Sequence, residues 1–218
     1  MITIEELADR LCHAIDKGLP GTDVQWEMAS SDRRIKGYPR QKGTDSGLSA
    51  VLILLYPVDG VIKTVLIQRP TYNGVHSGQI GFPGGKMEKT DKTLIDTSLR
   101  EACEETGICR DNVKLIGTLT PLYISVSNTE VTPVVAWCES RPDFILQAEE
   151  VVSIIEVPIG HFTDPSFVHV KGMTIRGEDI NVRYFDYNGK VIWGATAMII
   201  YELVVILERS GLTSLVQN

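Results

Sequence analysis

The stretch Gly84–Ile108, GGKMEKTDKTLIDTSLREACEETGI, decides the fold, because a glycine pair, a polar loop and an amphipathic helix follow one another without a break. At about 100° per residue, with Glu101 taken as the origin, Glu105, Glu104 and Arg100 fall at about 40°, 300° and 260°. All four charged side chains therefore share one side. Ile95, Leu99, Ala102 and Thr106 fall on the other at spacings of four, three and four, the apolar stripe a helix needs to dock on a core. Thr90 or Asp91 is the expected cap at its start, and Gly107 the left-handed stop at its end. Three carboxylates within little more than a turn repel one another unless a divalent cation sits among them, and hard oxygen ligands suit magnesium or manganese. A solvated acidic face is the bland alternative.

The order of these residues resembles the Nudix box, GX5EX7REUXEEXGU with U apolar. Arg100, Glu101, Glu104, Glu105, Gly107 and Ile108 match its right half, with Ala102 a small occupant of the first U. The left half departs: Gly85 lies one residue too far from Arg100, and the first glutamate is replaced by Asp91 or Lys92, depending on where the extra residue is placed. Upstream, RPTYNGVHSGQIGFPGGK resembles the second motif of the coenzyme A pyrophosphatase branch, with Arg69, Gly78, Phe82, Pro83, Gly84 and Gly85 at matching positions. Pro70 and Gly74 depart from it, Gly74 standing where a second arginine belongs. Glycine-rich backbone of this kind lets the chain approach a ligand closely.

Composition bounds the remaining possibilities. The chain has 218 residues, 43% of them hydrophobic, enough for a proper core in one domain of 1–218, with a helix and irregular arm over 1–47 and a core over 48–207. A net charge of −7 argues against a general nucleic-acid or anionic-membrane binder. Cys12, Cys103, Cys109 and Cys138 form no CxxC pair, and Cys103 reads as a small buried hydrophobe, so a reducing cytoplasm is the expected home. MITIEELADR lacks the basic and apolar regions of a secretory signal.

Along the chain, Thr3 and Glu6 form a capping-box pattern ahead of Ile4, Leu7, Ala8, Leu11 and Ile15, which predicts a packing helix before Gly18. Residues 19–47 read as a long irregular arm whose basic cluster, Arg33, Arg34, Lys36, Arg40 and Lys42, is either solvated or turned to a phosphate-rich ligand. Leu48–Tyr56 and Val61–Gln68 predict a hairpin about Pro57-Val58-Asp59-Gly60, and Val113–Ile124 and Glu130–Cys138 two further strands. Glu149 and Glu150 sit in an acidic loop before another strand or short helix, either as plain surface acids or as a source of a further ligand or base. Phe167–Ile175 and Arg183–Tyr187 form a late hairpin around Gly177. Ile192–Leu207 is the most apolar run, but it is short of the ~20 residues of a membrane span and carries Glu202, so it predicts a buried C-terminal helix. His76 in the glycine-rich loop is a loop hydrogen-bonder or a substrate contact. No G-x-S-x-G elbow or paired cysteine supports a serine or cysteine hydrolase.

The resemblance implies an α/β/α sandwich with a mixed sheet between helices, a fold the strand-then-helix order permits. It implies hydrolysis of a nucleoside diphosphate derivative, with coenzyme A or its acyl derivatives leading, ADP-ribose or a dinucleotide as alternatives, and a nucleotide-holding module without catalysis as a reading of another class. Glu101 and Glu105 are the expected magnesium or manganese ligands, helped by Glu104 and Gly85. Glu104 is the expected base, Arg100 orients the carboxylates, and Arg69, Gly78, Phe82 and Gly84 meet the substrate. The expected partner is that small molecule, with a homodimer left open.

Overall fold

The computed structural model describes residues 2–35, 43, 45–71, 77–175 and 177–216. The readings placed on Lys36, Arg40, Lys42, Gly74 and His76 lie outside the described residues. Helix α1 (Ile4–Asp16) forms as expected, Thr3 capping it by accepting a hydrogen bond from the Glu6 N–H at 3.1 Å, with Leu7, Ala8 and Leu11 buried. The expected irregular arm is corrected: it contains two short helices, α2 (Thr22–Trp26) and α3 (Ser31–Ile35), and buries Gln25, Trp26, Met28 and Ala29. Helices of five residues carry too little of a period to be read from sequence. Arg33 is half-buried and donates to the Tyr123 carbonyl at 3.0 Å, and Arg34 beside it is exposed.

The centre is a mixed sheet. Strands β1 (Gly47–Val58) and β2 (Val61–Gln68) form the expected hairpin, with the turn narrowed to Asp59-Gly60, both at positive φ. Short strands β3 (Ile80–Gly81) and β4 (Gly84–Lys86) then add to the edges of β2 and β1, so the glycine-rich segment is partly regular after all. Helix α4 (Leu94–Thr106) follows, capped by Thr93 rather than by Thr90 or Asp91 and ended by Gly107 at φ 77°. The single strand expected over Val113–Ile124 is broken into β5 (Lys114–Thr118) and β6 (Leu122–Ile124). Pro121 has no N–H to give a ladder, and the Thr120 N–H leaves the sheet for Glu202 at 3.2 Å. β7 (Thr129–Trp137) runs parallel to β1, and β8 (Ser153–Pro158) antiparallel to β2.

Beyond this sheet, β9 (Val168–Ile175), β10 (Glu178–Tyr187) and β11 (Lys190–Trp193) form a separate antiparallel sheet, the first two as the hairpin about Gly177 that the sequence predicts. The apolar C-terminal run begins as β11 and turns at Gly194 (φ 66°) into α5 (Gly194–Arg209), followed by α6 (Thr213–Val216). Among the described residues no helix is long and apolar enough to cross a membrane.

Alternate residues of β1 feed opposite cores, as the two-residue period of a strand demands. Ile53 and Leu55 pack toward Leu7 and Leu11 of α1 and Met198, Leu203 and Leu207 of α5. Ala50, Leu52, Leu54 and Tyr56 pack toward Leu99 and Ala102 of α4. Helices thus cover both faces, which is why β1 reads as a near-continuous apolar run. The layering is the expected α/β/α.

Candidate active site

Backbone on β1 forces glycine at Gly84, at the start of β4, while Gly85 lies bare against the end of a movable side chain of α4. A side chain at Gly84 (φ 153°) would place its Cβ 2.3 Å from the Ala50 carbonyl oxygen of β1. One at Gly85 would place it 2.4 Å from the Glu101 carboxyl group. Bare backbone lets α4 lie against β4, and that contact brings two acids of the helix to the turn.

Glu105 enters furthest. Its side chain is 1% exposed, Oε2 accepts the Gly84 N–H at 2.8 Å, and Oε1 lies 3.1 Å from the Arg69 guanidinium without a well-directed hydrogen bond. Arg69 also donates to the Gly84 carbonyl at 2.9 Å, so it ties the turn to the helix from the end of β2. Burial pushes the Glu105 carboxyl up to about 7. Arg69 and the Gly84 N–H oppose that shift, and repulsion from Glu101 and Glu150 adds to it. Glu101 is raised for the same leading reason, with Arg100 opposing burial and Glu104 and Glu150 repelling. Of the two loop acids, Glu150 therefore bears on the site; both are exposed.

Arg100 is held by Asp91, which accepts from Nε at 3.0 Å and from a terminal nitrogen at 3.0 Å, a bidentate clamp. The same guanidinium donates to the Lys86 carbonyl at 2.9 Å and pairs with Glu101 and Glu104, each at 3.0 Å. The structure thus chooses Asp91 over Lys92 for the place of the box's first acid. This Arg100 clamp is the contact the sequence left undecided. Its signal was an acid nine residues ahead of the arginine, across a loop whose length no helical period fixes.

The three carboxylates that share one side of α4 meet different surroundings. Glu104 is 60% exposed and paired with Arg100, whereas Glu105 is turned under β4. Among the described residues no three acid, histidine or cysteine side chains are gathered about one point, because Arg69 and Arg100 hold the acids. The donors nonetheless fit a hard divalent cation. Glu105 Oε1 is buried without a directed donor, Glu101 and Glu105 are both raised by burial and mutual repulsion, and Gly85 leaves no side chain beside Glu101.

Of the expected substrate residues, Arg69 and Gly84 are engaged as described. Gly78 makes a left-handed turn at φ 65° and donates to the Pro70 carbonyl at 3.0 Å. Phe82 is corrected to a packing role: it is 4% exposed within the apolar core and seats the turn from below. The cysteine reading is also corrected. Cys103 is half-buried and disulfide-bonded to Cys109 just past the helix end, while Cys12 and Cys138 are free. The left-handed Gly107 turns the chain back on the last turn of α4, which a linear spacing of six does not reveal.

The NUDIX domain description matches residues 48–170, more than half of the chain, and so takes in the glycine turn, α4 and the acid loop. The chain belongs to the Nudix family. It is 34% identical over 181 residues to the Nudix hydrolase NudL of Klebsiella pneumoniae, covering 82% of this chain and 92% of that one. It is 36% identical over 130 residues to NudL of Pectobacterium atrosepticum, covering 60% and 67%. The fold is similar to the MutT/nudix family protein of Enterococcus faecalis, with a TM-score of 0.50, 16% identity and coverage of 86% and 73%. It is likewise similar to the MutT protein of Methanosarcina mazei, with 0.50, 15%, 77% and 99%. This Nudix hydrolase is accordingly an enzyme of a family that acts on pyrophosphate bonds.

Proposed function

We propose that this Nudix hydrolase cleaves the diphosphate of a nucleoside diphosphate derivative, with coenzyme A or acyl-coenzyme A as the leading substrate and 4′-phosphopantetheine and adenosine 3′,5′-bisphosphate as products. The observation that supports it is the gathering of Glu105 and Arg69 on the bare backbone of Gly84, with Glu101 beside Gly85 and Arg100 paired to Glu101. A magnesium or manganese ion held by Glu101 and Glu105, with Glu104 and the Gly85 carbonyl as further donors, supplies charge neutralisation of the diphosphate and acidification of the attacking water when bound. Arg69 fixes Glu105 against the turn, and Arg100, clamped by Asp91, orients Glu101 and Glu104. Glu104, at the solvent edge, takes the proton of the water that attacks phosphorus, as the bridging P–O bond breaks toward the departing phosphate. A module that only holds a nucleotide has no need of acids whose charge burial opposes, so the retained Glu101 and Glu105 favour catalysis.

Turnover of coenzyme A, ADP-ribose and a dinucleotide polyphosphate, each with and without magnesium, tests the reading. Metal-dependent cleavage with the highest kcat/KM for coenzyme A is expected. Preference for ADP-ribose would replace the substrate while keeping the chemistry, and no cleavage of any of the three would overturn the reading.

A further inference from the structure

Between β7 and β8 the chain crosses the C-terminal end of α4 as a strap, 139–151, that forms neither helix nor strand. A helix end leaves its last carbonyls without partners inside the helix, and the strap meets two of them. The Ile145 N–H donates to the Thr106 carbonyl at 2.9 Å, and the Gln147 N–H to the Glu105 carbonyl at 3.1 Å. The Glu150 and Val151 N–H groups close a turn onto the Gln147 carbonyl at 3.0 and 2.9 Å, and the Val152 N–H donates to the Gln68 carbonyl at 2.9 Å. Glu149 and Glu150 therefore sit in a turn with one foot on the backbone of Glu105 and the other on the residue before Arg69, the partner of Glu105. Residues 145–150 are exposed, so packing of their own side chains does little to fix that turn.

The strap is fixed at its root. Arg141 forks onto Glu156 of β8, with Nε 2.9 Å from Oε2 and a terminal nitrogen 2.9 Å from Oε1. Tyr56 of β1 donates its hydroxyl to the same carboxylate at 3.0 Å. The Arg141 guanidinium also lies over the Phe144 ring, 4.9 Å from its centroid, and Phe144 packs against Tyr56 and the core beneath α4. Arg141 thus holds the segment that delivers Ile145 and Gln147 to the helix end.

We propose that Arg141 is a positioning residue, which through Glu156 and Phe144 holds the strap so that the Glu150 carboxylate stays on the side of Glu101 and Glu105. Its role rests on the reading above that a divalent cation is held by those two acids. Glu150 repels both carboxylates, and the same negative charge attracts a cation placed among them. A strap free at its root spreads Glu150 over many positions, and holding it in one then costs entropy that the fork has already met.

Calorimetric titration of the metal-free whole protein with manganese alone, beside a denaturant midpoint for each variant, tests this in a double-mutant cycle of Arg141→Ala and Glu150→Gln. Each single change is expected to weaken manganese binding by about ten- to hundredfold, as the loss of groups that orient metal ligands does. The double variant should bind no more weakly than Glu150→Gln alone. Glu156→Gln, which breaks the fork from its other side, should match Arg141→Ala, and Arg141→Lys should regain part of the affinity. Losses that add in the double variant would overturn the positioning role. So would wild-type manganese affinity in Glu150→Gln, or in folded Arg141→Ala or Glu156→Gln whose midpoint alone has dropped. A wild-type protein that takes up no manganese would sink the metal reading and this role with it, whereas additive losses in a protein that binds manganese sink this role alone.

Discussion

Glu105 and Glu202 are both glutamates with essentially no exposed surface, yet their surroundings differ in kind. Glu202, on α5, receives the Gly21 N–H at 3.2 Å, the Gln25 amide at 2.8 Å, the Thr120 N–H at 3.2 Å and the Thr120 hydroxyl. Every donor is neutral, and both oxygens are served twice. The carboxylate thereby staples the N-terminal arm and the β5–β6 break to the C-terminal helix. Glu105 receives one directed N–H and one arginine, and two further acids repel it. A buried charge that is fully hydrogen-bonded holds a structure together; one left short of donors is ready for another cation.

Removing each acid should break different things. Glu202→Ala leaves the four N–H and O–H groups of the staple without that acceptor, and each buried neutral donor left unmet costs about 1–3 kcal/mol. We expect a large drop in the denaturant midpoint, with near-normal kcat in whatever fraction remains folded; a midpoint within error of wild type would break the contrast. Glu105→Gln keeps the shape and removes the charge. We expect kcat to fall by about 10²–10³, comparable to losing a preorganised electrostatic contact, while stability holds or rises because a poorly served buried carboxylate is gone. Near wild-type turnover, or a loss of stability matching that of Glu202→Ala, would make the two glutamates alike.

Asp91 gives the finest test, since it belongs to the catalytic end yet behaves like the staple. Its hydrogen bonds to Arg100 hold its carboxyl down to about 2, below the ordinary 3.8. A lowered folded-state value means stability that is present above pH ~4 and lost as pH falls toward 2. Asp91→Asn should therefore lower stability at pH 6 and flatten its pH dependence between about 4 and 2. A wild-type pH profile in that variant would show that the clamp contributes nothing.

Local rules carried much of the reading. The Thr3 cap, the Asp59-Gly60 hairpin, the amphipathic α4 and its Gly107 stop follow from side-chain periods and turn chemistry confined to a few neighbouring residues. The Arg100-to-Ile108 pattern likewise carries the family, since its charged and glycine positions follow one another within a single helix and its stop. Three features escaped for one shared reason, that their partners are not periodic neighbours. Helices α2 and α3 are too short to show a repeat and are fixed by contacts with α5 and β10. The choice between Asp91 and Lys92 needed the path of a loop. The Cys103–Cys109 bond needed the reversal of the chain at Gly107.

The sequence by itself determined which faces are apolar, which acids share a helix and where glycine interrupts, since these depend on identity and spacing alone. Only the tertiary structure decided what burial does to those acids. Glu105 and Glu104 are adjacent in the chain and equally charged on paper, but β4 covers the first and solvent keeps the second. Glu202 met its donors only because the fold brought Gly21, Gln25 and Thr120 to one point from far along the chain. Desolvation and the direction of hydrogen bonds are set by what packs against a side chain, and packing joins residues that sequence order keeps apart.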